Sequence, residues 1–302
     1  MSRSEGWAAS GLAMSGSATT TDPASAPGAE HLRQLSPEAQ VRLMAKQIRL
    51  SILEQSARAG VGHIGSGLSV ADIVAALYAR VLRVDGLADP ERDRFVLSKG
   101  HAALALYAAF ALRGWIGREQ LDTYCGDDSL LGVHPERDLP GVDFSTGSLG
   151  HGLAMAAGAA LAARLQGSHR RVYVLLSDAE CNEGSLWESV MFAAHHRLGN
   201  LTAVIDLNGQ QALGKTEAVL DLAPMAARWS EFGWDAVEAN GHDPFELLSA
   251  LQGGTGTRPR VVVARTTFGK GVSYMEGQLR WHYWPMSPEQ YSQALEEVTE
   301  AP

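Results

Sequence analysis

The chain has 302 residues, 45% of them hydrophobic and 20% charged, with 34 acidic against 25 basic side chains and a formal net charge of -9. That balance suits a soluble protein with a sizeable core, and the lack of any basic block argues against nucleic acid as a partner. Two cysteines, Cys125 and Cys181, make neither a metal-spaced pair nor a disulfide framework, which fits a reducing cytoplasm, and no apolar run reaches the length of a membrane span.

Residues 1–35 are rich in small and polar side chains and lack the apolar centre of a secretory signal, so they read as a disordered tail. From Ser36 the pattern turns helical. Ser36 offers an N-cap, Pro37 suits the first turn, and apolar residues recur at helical spacing until Gly60. Ser69 is expected to cap the next helix, over 70–82. Residues 93–112 read as a short strand, a tight turn and a helix, and residues 147–165 as a glycine-rich turn feeding an alanine-rich helix.

The stretch 171–178 is a buried-strand candidate, followed by a helix over 183–197 and a second strand over 201–208. Helices around 223–229 and 243–252 and strands at 235–239 and 258–267 complete the pattern. Strands alternating with helices predict an α/β fold, a parallel sheet with helices on both faces. Ligands of such a sheet bind beyond the carboxyl ends of its strands. One domain over 36–302 is expected, with a peripheral segment from about Gly269.

Two motifs compete for the chemistry. Gly60-Val61-Gly62-His63-Ile64-Gly65 matches a dinucleotide fingerprint, but a charged amphipathic helix precedes it where that fingerprint needs a strand. The other is a strand–helix–strand unit that delivers Asp178 and Asn208 to one sheet edge. A carboxylate, an amide and the Gln210 carbonyl would suit Mg²⁺, which takes a few hard oxygens and shares the rest with water and phosphate. The bland reading is that Asp and Asn merely end their strands as turn residues.

Several motifs in order resemble the transketolases: GHIGSGLS at 62–69, DRFVLSKGH at 93–101, HPE at 134–136, STGSLGHG at 145–152, SDAE at 177–180 followed by CNEGSLWE, and LNGQ at 207–210. The resemblance covers residues from about 36 to 285. It implies the pyrophosphate-binding (PP-type) domain of a thiamine-diphosphate enzyme that moves a two-carbon ketol unit between sugars or sugar phosphates. By the same resemblance Asp178, Asn208 and the Gln210 carbonyl would hold Mg²⁺ (or Ca²⁺ or Mn²⁺). Gly147, Ser148 and Leu149 would line the cofactor, with Ala179 beside its diphosphate. His63, His101, His134 and His282 would face the reacting carbon and the sugar, His101 also touching the cofactor. Glu183 would serve catalysis and touch the cofactor, and with Glu188 it would lie at the contact that links two active sites.

A full transketolase carries two further domains, one of which supplies the glutamate that activates the aminopyrimidine. The resemblance therefore implies a second chain with the pyrimidine-binding and C-terminal domains, in an α2β2 assembly that is inactive without it. Alternatives are a subunit of a deoxyxylulose-phosphate synthase-like or 2-oxo-acid dehydrogenase-like enzyme, or a non-catalytic cofactor-binding scaffold. Three departures stand out: the family's Gly-Asp-Gly is Ser-Asp-Ala here, Ile64 replaces a proline, and Trp281, Tyr283 and Trp284 crowd His282. The last suggests a sugar pocket reshaped for a specialised pathway or, on the bland reading, aromatic packing against the partner chain.

Overall fold

The structure, a computed structural model, describes residues 34–254 and 256–301. Most of the proposed tail lies outside the described residues. Helix α1 (Pro37–Ala59) begins and ends as its sequence dictates. Ser36 Oγ accepts from the Ala39 N–H, and Gly60 closes the helix in the left-handed conformation at φ 65°. Its buried stripe runs Val41, Ala45, Ile48, Ile52 and Gln55, the three-to-four spacing of one helical face.

Helix α2 (Ile64–Ala76) departs from expectation. It starts directly after His63, and Ser69 lies inside it rather than capping it. The weak helix formers Gly65, Ser66 and Gly67 hid this start. Packing explains them: a Cβ at Gly65 would lie 2.2 Å from the Phe268 ring, and one at Gly67 would touch Ile52 at 3.4 Å. With its wider last turn (Leu77–Val81) this run is 18 residues long and apolar enough to cross a membrane, yet 89% of it is buried. It is a core helix.

Strand β1 (Arg94–Leu97), a short turn at Gly100–Ala102 and α3 (Ala103–Leu112) follow, then the single turn α4 (Arg118–Leu121) and α5 (Gly152–Leu165). Strand β2 (Val172–Ser177), α6 (Gly184–His195) and β3 (Leu201–Leu207) come next. A two-stranded hairpin, β4 (Gln210–Gln211) with β5 (Gly214–Lys215), leads into α7 (Thr216–Leu220) and α8 (Met225–Glu231). Strand β6 (Asp235–Asn240), α9 (Pro244–Gln252), β7 (Arg260–Arg265) and α10 (Pro288–Glu300) complete the chain.

The main sheet has the order β1-β2-β3-β7-β6 with every pair parallel. Its residues alternate between two cores. Tyr173, Leu175, Val204 and Val262 pack with α1, α2, α3 and α9, whereas Val174, Leu176, Ile205 and Val263 pack with α5, α6 and α8. Helices on both faces explain why the strands read as nearly unbroken apolar runs. The segment after Gly269 is not peripheral. Val272, Met275, Trp281, Ala294 and Val298 belong to the first core, and α10 closes over it with a capping box between Ser287 and Gln290.

All parallel strands end at one edge. The exits of β1, β2, β3 and β7 bring Lys99, Asp178, Asn208 and Thr266 together there, the usual ligand side of such a sheet.

Candidate active site

Three imidazoles form a triangle above this edge. His63, His101 and His282 have ring centroids 5.2 to 5.6 Å apart. Each comes from a different element. His63 sits in the left-handed region at φ 62° just before α2, His101 rides the turn after β1, and His282 ends a short turn at Leu279–His282. The His63 N–H donates to the His282 carbonyl at 3.3 Å, which ties the first and third segments.

Glycine makes this approach possible. A Cβ at Gly62 would stand 2.4 Å from the Tyr283 carbonyl oxygen, and one at Gly100 would stand 3.0 Å from Thr146 and Gly147. Gly62→Ala is expected to cost about 1–3 kcal/mol, because a backbone oxygen must move and that outweighs the smaller gain from a stiffer unfolded chain. Urea unfolding measures it; an unchanged or raised midpoint would show that the loop gives way freely.

Burial lowers the pKa of all three imidazoles. His101 is held well below 6.5 by burial and then by the Lys99 charge, His282 falls to about 4 by burial and its neighbours His63 and Lys99, and His63 is lowered by burial and by His134. They are neutral near pH 7 and can take or return a proton. The Nδ1 atoms of His63 and His282 are buried without a partner, so both rings hold a free polar atom for a ligand. His134 is exposed, its ring 3.1 Å from where a Cβ on Gly147 would lie.

Below the histidines lies a polar floor. Asp178 is fully buried at the end of β2. It accepts hydrogen bonds from the N–H groups of Ala179 at 2.8 Å and Gly209 at 2.9 Å, and from the Thr216 hydroxyl at 3.0 Å. A carboxylate has about four acceptor positions, so one on Oδ1 stays free. Burial and the nearby Asp206 raise its pKa to about 6. An acid that is costly to ionise gains from a cation beside it. Asn208 shares this edge, its Oδ1 accepting from the Gln210 N–H at 2.9 Å. Among the described residues no group of three or more acidic, histidine or cysteine side chains could hold a metal. The donors that fit here, Asp178, the Asn208 amide oxygen and the Gln210 main-chain oxygen, are the hard oxygens that Mg²⁺ takes.

The loop Gly147-Ser148-Leu149 is fastened to this floor by a residue that sequence reasoning left without a role. Glu180 is buried and accepts from Ser98 Oγ, from the Gly150 N–H at 2.8 Å and from the Ser177 N–H at 3.4 Å. Burial raises its pKa, against those hydrogen bonds. Its position inside SDAE was the only signal. His242, in Gly-His-Asp, reads from the sequence only as a loop or cap residue. One ring nitrogen faces Asp72 at 2.7 Å and the other accepts from the Thr267 N–H at 2.8 Å, which holds the exit of β7.

Glu183 is exposed beside the glycine loop: a Cβ on Gly150 would lie 2.7 Å from its own Cβ. Among the described residues its carboxylate takes no hydrogen bond. Glu188, Ser148, Tyr283 and Trp284 are exposed as well, and Leu149 and Ala179 are half-buried. The histidine side of the site is therefore open to solvent along one flank.

Residues 40–298 match the family model described as "Transketolase, thiamine diphosphate binding domain". The chain belongs to the transketolase family. It is 40% identical to an apulose-4-phosphate transketolase subunit from Phocaeicola vulgatus over 86% of this chain and 94% of that relative. It is 39% identical to a 6-deoxy-6-sulfo-D-fructose transketolase subunit from a Clostridium species, again over 94% of the relative. Human transketolase is 36% identical, but the match spans only 41% of it. The transketolase structure from Campylobacter jejuni superposes with a TM-score of 0.81 at 28% identity, covering 86% of this chain and 43% of that one. These relatives are transketolases, not deoxyxylulose-phosphate synthases or 2-oxo-acid dehydrogenase subunits. The chain thus has the length of the subunits and under half that of the single-chain transketolases.

Proposed function

We propose that this chain is the thiamine-diphosphate-binding subunit of a two-chain transketolase that moves a two-carbon ketol unit from a ketose to an aldose. The length relation carries the reading: the chain matches 94% of the Phocaeicola vulgatus subunit but only 41% of human transketolase. The open flank beside His134, Ser148 and Trp284 supports it, since a site for carbanion chemistry must exclude water. The partner would supply the missing wall, the pyrimidine-binding and C-terminal domains, in an α2β2 assembly. Glu183 and Glu188 would lie at the contact between halves. Two free cysteines fit cytoplasmic work.

Thiamine diphosphate, when bound, supplies the electron sink for the two-carbon unit. The chain's own residues bind and move protons. Asp178, Asn208 and the Gln210 carbonyl would hold Mg²⁺ (or Ca²⁺ or Mn²⁺) on the diphosphate, with Ala179 beside it. Gly147, Ser148 and Leu149 would line the cofactor. The neutral rings of His63, His101 and His282, with His134, would accept a hydroxyl proton from the donor sugar and return one to the acceptor. Relatives named for apulose 4-phosphate and for a sulfonated sugar favour a specialised substrate here as well. Trp281 packs into the core instead, but the Tyr283 ring 5.1 Å from that of His282, followed by the exposed Trp284, fits such a reshaped pocket.

The purified chain alone is expected to show no ketol transfer. Mixed with the product of a neighbouring reading frame that carries the two missing domains, it should turn over, and more readily on an unusual ketose than on xylulose 5-phosphate. Turnover by the isolated chain would sink the two-chain reading. Robust turnover of xylulose 5-phosphate would sink the specialised one.

A further inference from the structure

Beneath Asn208 lies a buried carboxylate that the chemistry above does not use. Asp206, the last-but-one residue of β3, is fully buried. Four donors converge on it. Lys99 Nζ and Thr266 Oγ1 reach its two oxygens, Ser69 Oγ donates at 2.7 Å, and Asn208 Nδ2 donates at 2.8 Å. They come from the exits of β1, β7 and β3 and from the middle of α2. Lys99 is itself 1% exposed, so the pair is sealed from water.

The two ends of an asparagine side chain are almost the same shape, and only their hydrogen bonds tell them apart. Reversing the Asn208 amide would press its oxygen against the Asp206 carboxylate and leave the Gln210 N–H without its acceptor. The carboxylate therefore decides which end faces out. A buried ion pair is poor at stabilising a fold, and apolar side chains of similar size often do as well or better. What the pair supplies that apolar residues cannot is direction.

We propose that Asp206, neutralised by Lys99, is a positioning residue that clamps the Asn208 amide nitrogen and so turns its oxygen out as a metal ligand. Lys99 offsets part of the Asp206 charge that repels Asp178, and the Ser69 and Thr266 hydroxyls hold the carboxylate from two further elements. The inference rests on the Mg²⁺ site described above and names what aims it.

Two double variants of the full chain test this. Lys99→Met with Asp206→Asn removes both charges but keeps an oxygen to accept from Asn208. Lys99→Met with Asp206→Val removes the clamp as well. Binding heats of Mg²⁺ are read in the presence of thiamine diphosphate, on the chain alone and mixed with its partner protein, and thermal unfolding without metal is read alongside. The asparagine variant is expected to bind Mg²⁺ as the natural chain does. The valine variant is expected to unfold at a similar temperature yet bind Mg²⁺ about tenfold to a hundredfold more weakly, the usual effect of losing a group that orients a metal ligand. The Asn208 side-chain amide protons, read by nitrogen-edited NMR, should exchange slowly in the natural chain and rapidly in the valine variant. A folded valine variant with unchanged Mg²⁺ affinity overturns the inference, as does equal weakening in both variants. A natural chain without any Mg²⁺-dependent binding overturns the site reading beneath it, a result distinct from both.

Discussion

Replacing Asp178 by alanine is expected to weaken Mg²⁺-dependent retention of thiamine diphosphate more than about a hundredfold, beyond the effect of losing a group that merely orients a ligand. Ketol transfer by the two-chain complex should fall with it. The fold should survive. Without metal the Asp178 carboxylate is a liability, its pKa raised to about 6 by burial and by Asp206. Alanine removes that, although the Ala179 and Gly209 N–H groups and the Thr216 hydroxyl lose an acceptor, at about 1–3 kcal/mol where water cannot replace it. The pH dependence has a definite sign. The folded chain binds this proton more tightly than the unfolded chain, whose carboxyl titrates near 3.8. Its contribution to stability is complete below 3.8 and is lost as pH rises through about 6. A metal ion reverses the preference. Mg²⁺ affinity should be flat above pH 6 and fall about tenfold for each unit below it, as protons compete for the ligand. Titrating Mg²⁺ at several pH values, with Asp178→Asn as a pH-independent control, checks this. An Asp178→Ala chain that still retains cofactor only with Mg²⁺ would contradict the role, and one that still supports turnover would favour a scaffold.

Much of this fold could be read from local signals. Ser36, Pro37 and Gly60 fix both ends of α1, and the apolar runs at β2 and β3 mark strands buried on both faces. What escaped depends on distant contacts. The start of α2 was hidden because Gly65 and Gly67 are poor helix formers, placed there by Phe268 and Ile52. The hairpin Gln210–Lys215 has two residues per strand, too few to show an alternation. The helix α10 did carry a readable signal, the Ser287-to-Gln290 capping box, which apolar periodicity alone passes over.

The site divides in the same way. Asp178 and Asn208 stand out because strand ends in a parallel sheet all face one edge. The four histidines are separable from the others by their motifs, and three of them do meet: His63, His101 and His282. Asp206 and His242 were silent, and Glu180 had only its place in SDAE, because their roles lie in partners far along the chain. Lys99 and Asp206 are 107 residues apart, and His242 and Asp72 are 170 apart. No spacing rule links such pairs; only the strand order does.

Truncating His101 or His282 to alanine is expected to lower kcat/KM by about a hundredfold to ten-thousandfold, the range for a positioned acid–base group. The protonation state makes a sharper test. Because burial holds His282 at about 4 and His101 well below 6.5, both stay neutral through mild acid. The folded chain then binds fewer of these protons than the unfolded chain, so their contribution is present above 6.5 and lost as pH falls towards 4. This runs opposite to Asp178. The acid limb of kcat/KM should therefore come from Asp178 near pH 6 and not from His101 or His282. Raising Mg²⁺ should move that limb to lower pH, since metal displaces the competing proton. A limb that ignores Mg²⁺ would assign it to an imidazole, and a His282 ring proton titrating near 6.5 by NMR would show that the ring is solvated rather than held neutral. With Mg²⁺ saturating, only the imidazoles are left to set the limb, and the first of His63, His101 and His282 to gain a proton then sets it below the ordinary 6.5.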